Sequence, residues 1–123
     1  MTVRYFILTI IVTFLLAVAQ VLVKLGMNEV GGLNISTKTF LSDFIPIISS
    51  HYLWMGGITI VVSSILWMKV LSRVELSVAY PLISISYIFG ILAAKYIFGE
   101  TIPISRWFGV GVIGIGIFLI MRG

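Results

Sequence analysis

Apolar residues run almost unbroken over residues 3–27, interrupted only by Arg4, Gln20, Lys24 and small hydroxyls, until residues 28–39, with Gly31, Gly32 and Asn34, end the run. Three similar runs follow, over 52–71, 76–98 and 104–121. Each is close to the roughly 20 residues that a helix needs to cross about 30 Å of hydrocarbon. The pattern therefore predicts four transmembrane helices. The links at 72–75 and 99–103 are tight, which makes neighbouring helices antiparallel. Tyr52, Trp54 and Trp67 near the ends of the second run suit the membrane interface. Within the longest connection, Phe40, Leu41, Phe44, Ile45 and Ile48 recur at helical spacing, with Lys38, Ser42 and Asp43 elsewhere. That predicts a short interfacial helix inside 37–50, limited by Pro46 to two or three turns and serving as an anchor, a lid or a plain connector. The expected fold is an all-α integral membrane protein: a single four-span domain over 1–123 with this interfacial helix between the first and second spans.

Ala17-Val18-Ala19 imitates a signal-peptidase site, but apolar residues resume at once with Val21, Leu22 and Val23, and three further spans follow. The first span is therefore expected to be retained, with Gln20 and Lys24 inside it. The two are four residues apart and share a helix face with Leu16 and Thr13, so the face reads as a polar strip. Such groups are costly in a bilayer and usually point into a bundle or a wet cavity. Near a helix end Lys24 also has the option of snorkelling to the surface, with Gln20 bonding a neighbouring helix.

Composition sharpens this reading. With 60% hydrophobic and 10% charged residues, the chain is far from an ordinary soluble domain. The net charge of +4 suits an anionic membrane surface, and no basic face is left in water to bind nucleic acid. There is no cysteine, and His51 is alone; no nucleophile set, metal cluster or cofactor motif emerges, and an enzyme is the least expected class. The four acids Glu29, Asp43, Glu75 and Glu100 all sit at or beyond span ends. A proton-coupled exporter of hydrophobic cations needs an embedded carboxylate at which proton and substrate compete, and these spans contain none.

Antiparallel spans gather Lys24, Lys95, Glu100 and Arg106 at one membrane surface. A Lys24–Glu100 pair there would hold the first and third spans in register, leaving cations for an anionic head group such as phosphate, Lys as a point charge and Arg as a planar fork. Lys69, Arg73 and Glu75 form a smaller cluster at the opposite surface. Basic residues tie at four on each side, with Arg4, Lys69, Arg73 and Arg122 facing Lys24, Lys38, Lys95 and Arg106. Discounting the partly embedded Lys24 and Lys95 places both termini in the cytoplasm. In the last span Gly109 and Gly116 share one face and Gly111 and Gly114 another, which permits close helix approach on two sides. A dimer is the natural consequence, with close packing inside one chain as the plainer alternative. Transporters commonly set their site between paired repeats, and one four-span chain supplies only one.

The stretch "ELSVAYPLISISYIFGILAAKYIFGETIPISRWFGVGVIGIGIFLI", together with "AQVLVK" in the first span, resembles the small four-helix members of the drug/metabolite transporter superfamily, of the EamA and small multidrug-resistance type. Among them it is most similar to the paired flippase subunits for aminoarabinose linked to undecaprenyl phosphate. Its most specific parts are Ala79-Tyr80-Pro81-Leu82 with Ser84, Gly99-Glu100 with Pro103, Arg106-Trp107 with Gly109, and the Gln20-x-x-x-Lys24 spacing. Small multidrug exporters share the size and the antiparallel-dimer architecture. Their first-span glutamate, however, falls here near Leu16. The resemblance implies a multi-pass protein of the bacterial inner membrane that acts as a homodimer or with a similar four-span subunit and flips a polyprenyl-phosphate-linked sugar. In that setting Gln20, Tyr80, Ser84 and Ser86 would offer hydrogen bonds along a lateral groove, Lys24, Lys95 and Arg106 would meet phosphate beside Glu100, and Pro81 would act as a hinge. Each has a plainer alternative: serines bond back to their own helix, Tyr80 suits the interface, and Pro81 suits a helix start. A small-molecule exporter and a non-transporting membrane scaffold are the competing function classes.

Overall fold

The computed structural model describes residues 3–30 and 40–123, as six helices: α1 Val3–Val30, α2 Phe40–Ser49, α3 His51–Leu71, α4 Leu76–Leu82, α5 Ile85–Tyr96 and α6 Ile104–Arg122. The break expected at 28–39 lies outside the described residues from position 31 onward, as does Lys38, and the backbone of 40–44 is helical. Four stretches are long and apolar enough to cross a membrane: Val3–Glu29, His51–Leu71, Leu76–Tyr96 and Ile104–Arg122. They fall where the apolar runs place them, and α1 continues unbroken through Gln20 and Lys24. At 1.5 Å per residue its 28 residues are about 42 Å long, enough for the hydrocarbon and part of both interfaces. The predicted interfacial helix is α2, ten residues with Pro46 inside it. Ile45 and Ile48 face outward, and Trp54 Nε1 donates to the Ile48 carbonyl, which ties α2 to α3.

Lipid tails are as apolar as leucine, so helices in a bilayer associate through close contact rather than water exclusion. The tightest such contact is between α1 and α3. A Cβ added at Gly56 would lie 3.0 Å from Val23 Cγ2 and 3.3 Å from the Ala19 carbonyl; one at Gly26 would lie 2.6 Å from Leu53 Cγ. These two glycines let the backbones approach. Val12, Ala19 and Val70 are fully buried, and so are Thr9, Thr13 and Ser63. The hydroxyls of these last three donate to their own helices, to Tyr5, Ile10 and Ile60 carbonyls at 2.8, 2.8 and 3.0 Å. Thr13 thus leaves the polar strip expected on α1, because its proton is spent on the Ile10 carbonyl inside the core.

The other side of α1 meets α5, where Phe14 stands edge-on to Phe89 with ring centroids 5.4 Å apart. The third span, expected as one apolar run in which Pro81 allows a kink or hinge, is two helices, α4 and α5. Pro81 lacks a donor and crowds the preceding turn. Just beyond it Ile83, Ser84, Ser86 and Tyr87 donate to carbonyls three residues back, at 2.9 to 3.2 Å, and the α-helical ladder is interrupted at 83–84. Leu82 and Ala79 are buried at this break.

The last helix, α6, touches only α4 and α5 appreciably among the described elements, and none of its residues is buried. A Cβ built on Gly109, Gly111, Gly114 or Gly116 meets nothing within 4 Å. Among the described residues, nothing packs against those glycines.

Candidate functional site

Between α1 and α5 lies a groove of about 450 Å³. Helix α1 contributes Leu16, Ala17, Gln20, Val21 and Lys24, which follow one another at alternating spacings of one and three on a single face. From the third span come Ile83, Ser86, Tyr87, Gly90, Ala93 and Ala94, again one helical face, closed at the end by Phe98 and Glu100. The lining is apolar apart from Gln20, Lys24, Ser86, Tyr87 and Glu100.

Glu100 reaches the groove because of the residue before it. Gly99 has φ +65°, a left-handed conformation that a side chain disfavours by roughly 1–2 kcal/mol. This turns the chain back, so that the Glu100 N–H donates to the Ala94 carbonyl at 2.9 Å. The carboxylate then faces α1, where Lys24 Nζ donates to Glu100 Oε1 at 3.2 Å, the only ion pair among the described residues. The ammonium also sits 5.0 Å from the Phe98 ring centroid, a cation–π contact that holds it at the groove mouth. Both partners stay accessible, with side-chain exposures of 50% and 43%. A ligand can therefore reach each charge without unfolding a helix. Replacing Gly99 by Val is expected to leave the four spans in place but detach Glu100 from Lys24. Loss of a carbodiimide-induced amide bond between the Lys24 amine and the Glu100 carboxyl, read by mass spectrometry, would report it, and an undiminished yield would contradict this account of the turn.

The structure brings together Gln20, Lys24 and Glu100 and sends the other expected site residues elsewhere. Tyr80 is 66% exposed and lines an outer surface with Leu76, Ser77 and Pro81, on α4 rather than in the groove. Ser84 lies at the break before α5, half-buried, and makes no capping side-chain bond. The groove serine is Ser86, and its hydroxyl donates to the Ile83 carbonyl at 2.7 Å, leaving only its lone pairs for a ligand. Lys95 lies off the groove face of α5, with Nζ 5.4 Å from the Tyr96 ring and 5.5 Å from the Trp107 ring, where it joins α5 to α6. Arg106 is exposed in the first turn of α6, outside the groove lining. Tyr87, Gly90 and Phe98 line the groove, and sequence reasoning missed them. Their signal was the recurrence of Ile83, Tyr87, Gly90 and Ala94 at helical spacing on one face.

No protein-family model matches the chain, and no solved structure does. Curated relatives do. The probable 4-amino-4-deoxy-L-arabinose-phosphoundecaprenol flippase subunit ArnF of Proteus mirabilis is 35% identical over 115 residues, covering 88% of this chain and 84% of the relative. The chain belongs to this family of flippase subunits. ArnE subunits of the same flippase are similar over a shorter stretch: 36% identity over 73 residues in Pseudomonas fluorescens and 39% over 72 in Pectobacterium atrosepticum. The chain spans 64% and 63% of the length of these two relatives, and the matched parts are 59% and 58% of the chain. Kinship with flippase subunits and four membrane-crossing helices make this a multi-pass protein of the bacterial inner membrane.

Proposed function

We propose that the chain is one subunit of a dimeric flippase that moves a polyprenyl-phosphate-linked sugar of the aminoarabinose type across the inner membrane by alternating access. The observation that carries this reading is the α1/α5 groove, apolar along its length and bearing the exposed Lys24–Glu100 pair at its mouth. A phosphosugar crosses hydrocarbon only if polar groups replace its water, while a polyprenyl tail stays in lipid throughout. A groove open to the side serves both needs. Lys24 meets the phosphate, Gln20 and Tyr87 offer hydrogen bonds to the sugar, and the tail lies against Leu16, Val21 and Ala17 or in the surrounding lipid. The break after Pro81 is where the third span changes direction between inward- and outward-open states.

The partner covers α6. Its glycines have open space around them, and on one face Gly111 lies in a shallow groove between Trp107, Phe108 and Ile115. A second four-span subunit, identical or similar, seats there.

Glu100 gives the small-molecule exporter its one supporting observation, a carboxylate that does reach a cavity. Lys24 at 3.2 Å already compensates its charge, however, and it lies beyond α5 rather than within a span. Two assays separate the readings. Vesicles containing the purified chain, alone or with a second subunit of the family, should expose a polyprenyl-linked aminosugar to a membrane-impermeant amine reagent, and cells expressing it should gain no resistance to hydrophobic cations. Resistance without lipid movement would favour the exporter; neither activity would favour a scaffold.

A further inference from the structure

We infer that Glu100 determines specificity in this groove: paired with Lys24, it makes the site accept head groups that carry both an amine and a phosphate, and reject the same lipid when the amine is blocked. The inference rests on the flippase reading above.

The groove lining is mostly apolar and offers few polar groups to offset a stray charge, so occupants that leave its charges balanced are favoured. Lys24 and Glu100 sum to zero, and among the described residues the rest of the lining carries no formal charge. The nearby cation Lys95 is held over Tyr96 and Trp107 outside the lining, and Arg106 and Glu29 are also outside it. A glycosyl phosphodiester brings one negative charge. If the sugar also bears an ammonium, the occupied groove stays neutral: Lys24 turns from Glu100 to the phosphate, and Glu100 takes the ammonium in exchange. One ion pair becomes two, each a charge-assisted hydrogen bond. If the amine is acylated, the phosphate can still draw Lys24 away, but Glu100 is then left facing apolar neighbours and a second anion without a cation of its own. An uncompensated charge beside an apolar wall is disfavoured, by less at half exposure than in a fully buried site.

The geometry permits the exchange. Both side chains are half exposed, both are flexible, and the Lys24–Glu100 contact is a single hydrogen bond of 3.2 Å rather than a fork-like double one. The Phe98 ring, 5.0 Å from the ammonium, gives Lys24 a resting contact that does not depend on Glu100. A purely architectural pair needs neither accessibility nor a position on a cavity wall.

The test uses the full chain in lipid nanodiscs and two probes, a farnesyl-phosphate-linked 4-amino-4-deoxypentose and its N-acetyl derivative. The unmodified protein should bind the amine probe at least about tenfold more tightly, the scale of one hydrogen bond to a charged group. Glu100→Gln should bring the ratio of the two affinities close to one, mainly by weakening the amine probe, whereas Glu100→Asp should keep most of it. A merely structural Glu100 would weaken both probes together and leave the ratio intact. If Glu100→Gln does not fold because Lys24 is stranded, the double variant Lys24→Gln/Glu100→Gln, neutral when empty, carries the same expectation for the ratio. Equal binding of both probes by the unmodified protein, or a preference that survives Glu100→Gln, overturns the inference alone. Failure of the unmodified protein to bind either probe overturns the flippase reading beneath it.

Discussion

Lys24→Gln is expected to abolish head-group translocation in vesicles while the protein still inserts and associates, and Lys24→Arg to retain part of the rate. Among the described residues Lys24 is the one cation on the groove wall, so its loss removes the positive charge that they offer there to a lipid phosphate. A hydrogen bond to a charged group is worth about 1.5–3 kcal/mol, or roughly ten- to a hundredfold in binding, and more where the alternative is an unsolvated phosphate in lipid. Arginine keeps the charge but brings a planar fork in place of a compact ammonium, and so changes the fit to both Glu100 and Phe98. Stability follows a different pattern from transport. Removing one partner of an exposed pair costs up to about 1 kcal/mol, and of a buried pair about 3–5 kcal/mol. At half exposure the Lys24–Glu100 pair falls between these limits. Lys24→Gln/Glu100→Gln should then regain much of the thermal stability that either single change loses, because neither charge is left stranded, yet transport should stay absent. Translocation by Lys24→Gln at the unmodified rate would falsify the role given to this residue, whatever its melting temperature.

The second large effect is expected on α6. Gly111→Leu, Gly114→Leu and Gly116→Leu place bulk where a single chain has open space, so the monomer should fold as before. Association should suffer on whichever face forms the seam, since leucine keeps the helices apart where glycine lets them touch. A loss of at least about tenfold in dimer affinity, equivalent to about 1.4 kcal/mol, is the expected scale. Energy transfer between labelled subunits in vesicles measures it, and the three variants together identify the face. Unchanged transfer in all of them would move the seam to another helix.

Much of this fold is legible in the order of residues alone. Each span can be delimited from its apolar run because a helix enters the bilayer on the summed transfer free energy of its own residues, a local quantity. Pro46 and Pro81 mark a short helix and a broken one for an equally local reason, the missing donor. The Lys24–Glu100 pairing is also within reach, since antiparallel spans of similar length bring those two residues to one surface.

What span boundaries leave open is rotation about each helix axis. Lys95 and Arg106 sit at the same membrane surface as Lys24, but helix rotation carries Lys95 to the α6 side of α5 and leaves Arg106 outside the groove. Thr13 turns into the α1/α3 core, whereas Gln20, two turns on, lines the groove. Hydropathy cannot set these rotations, because every face of such a helix is apolar enough for lipid. They are set by which small residues let two backbones close up, here Ala19 with Gly56, and by single backbone devices such as the positive φ of Gly99 that turns Glu100 back toward α1. The sequence by itself therefore determined the number and order of the membrane-crossing helices. Only the tertiary structure decided which polar groups share a groove, because that depends on close contact between helices distant in the chain.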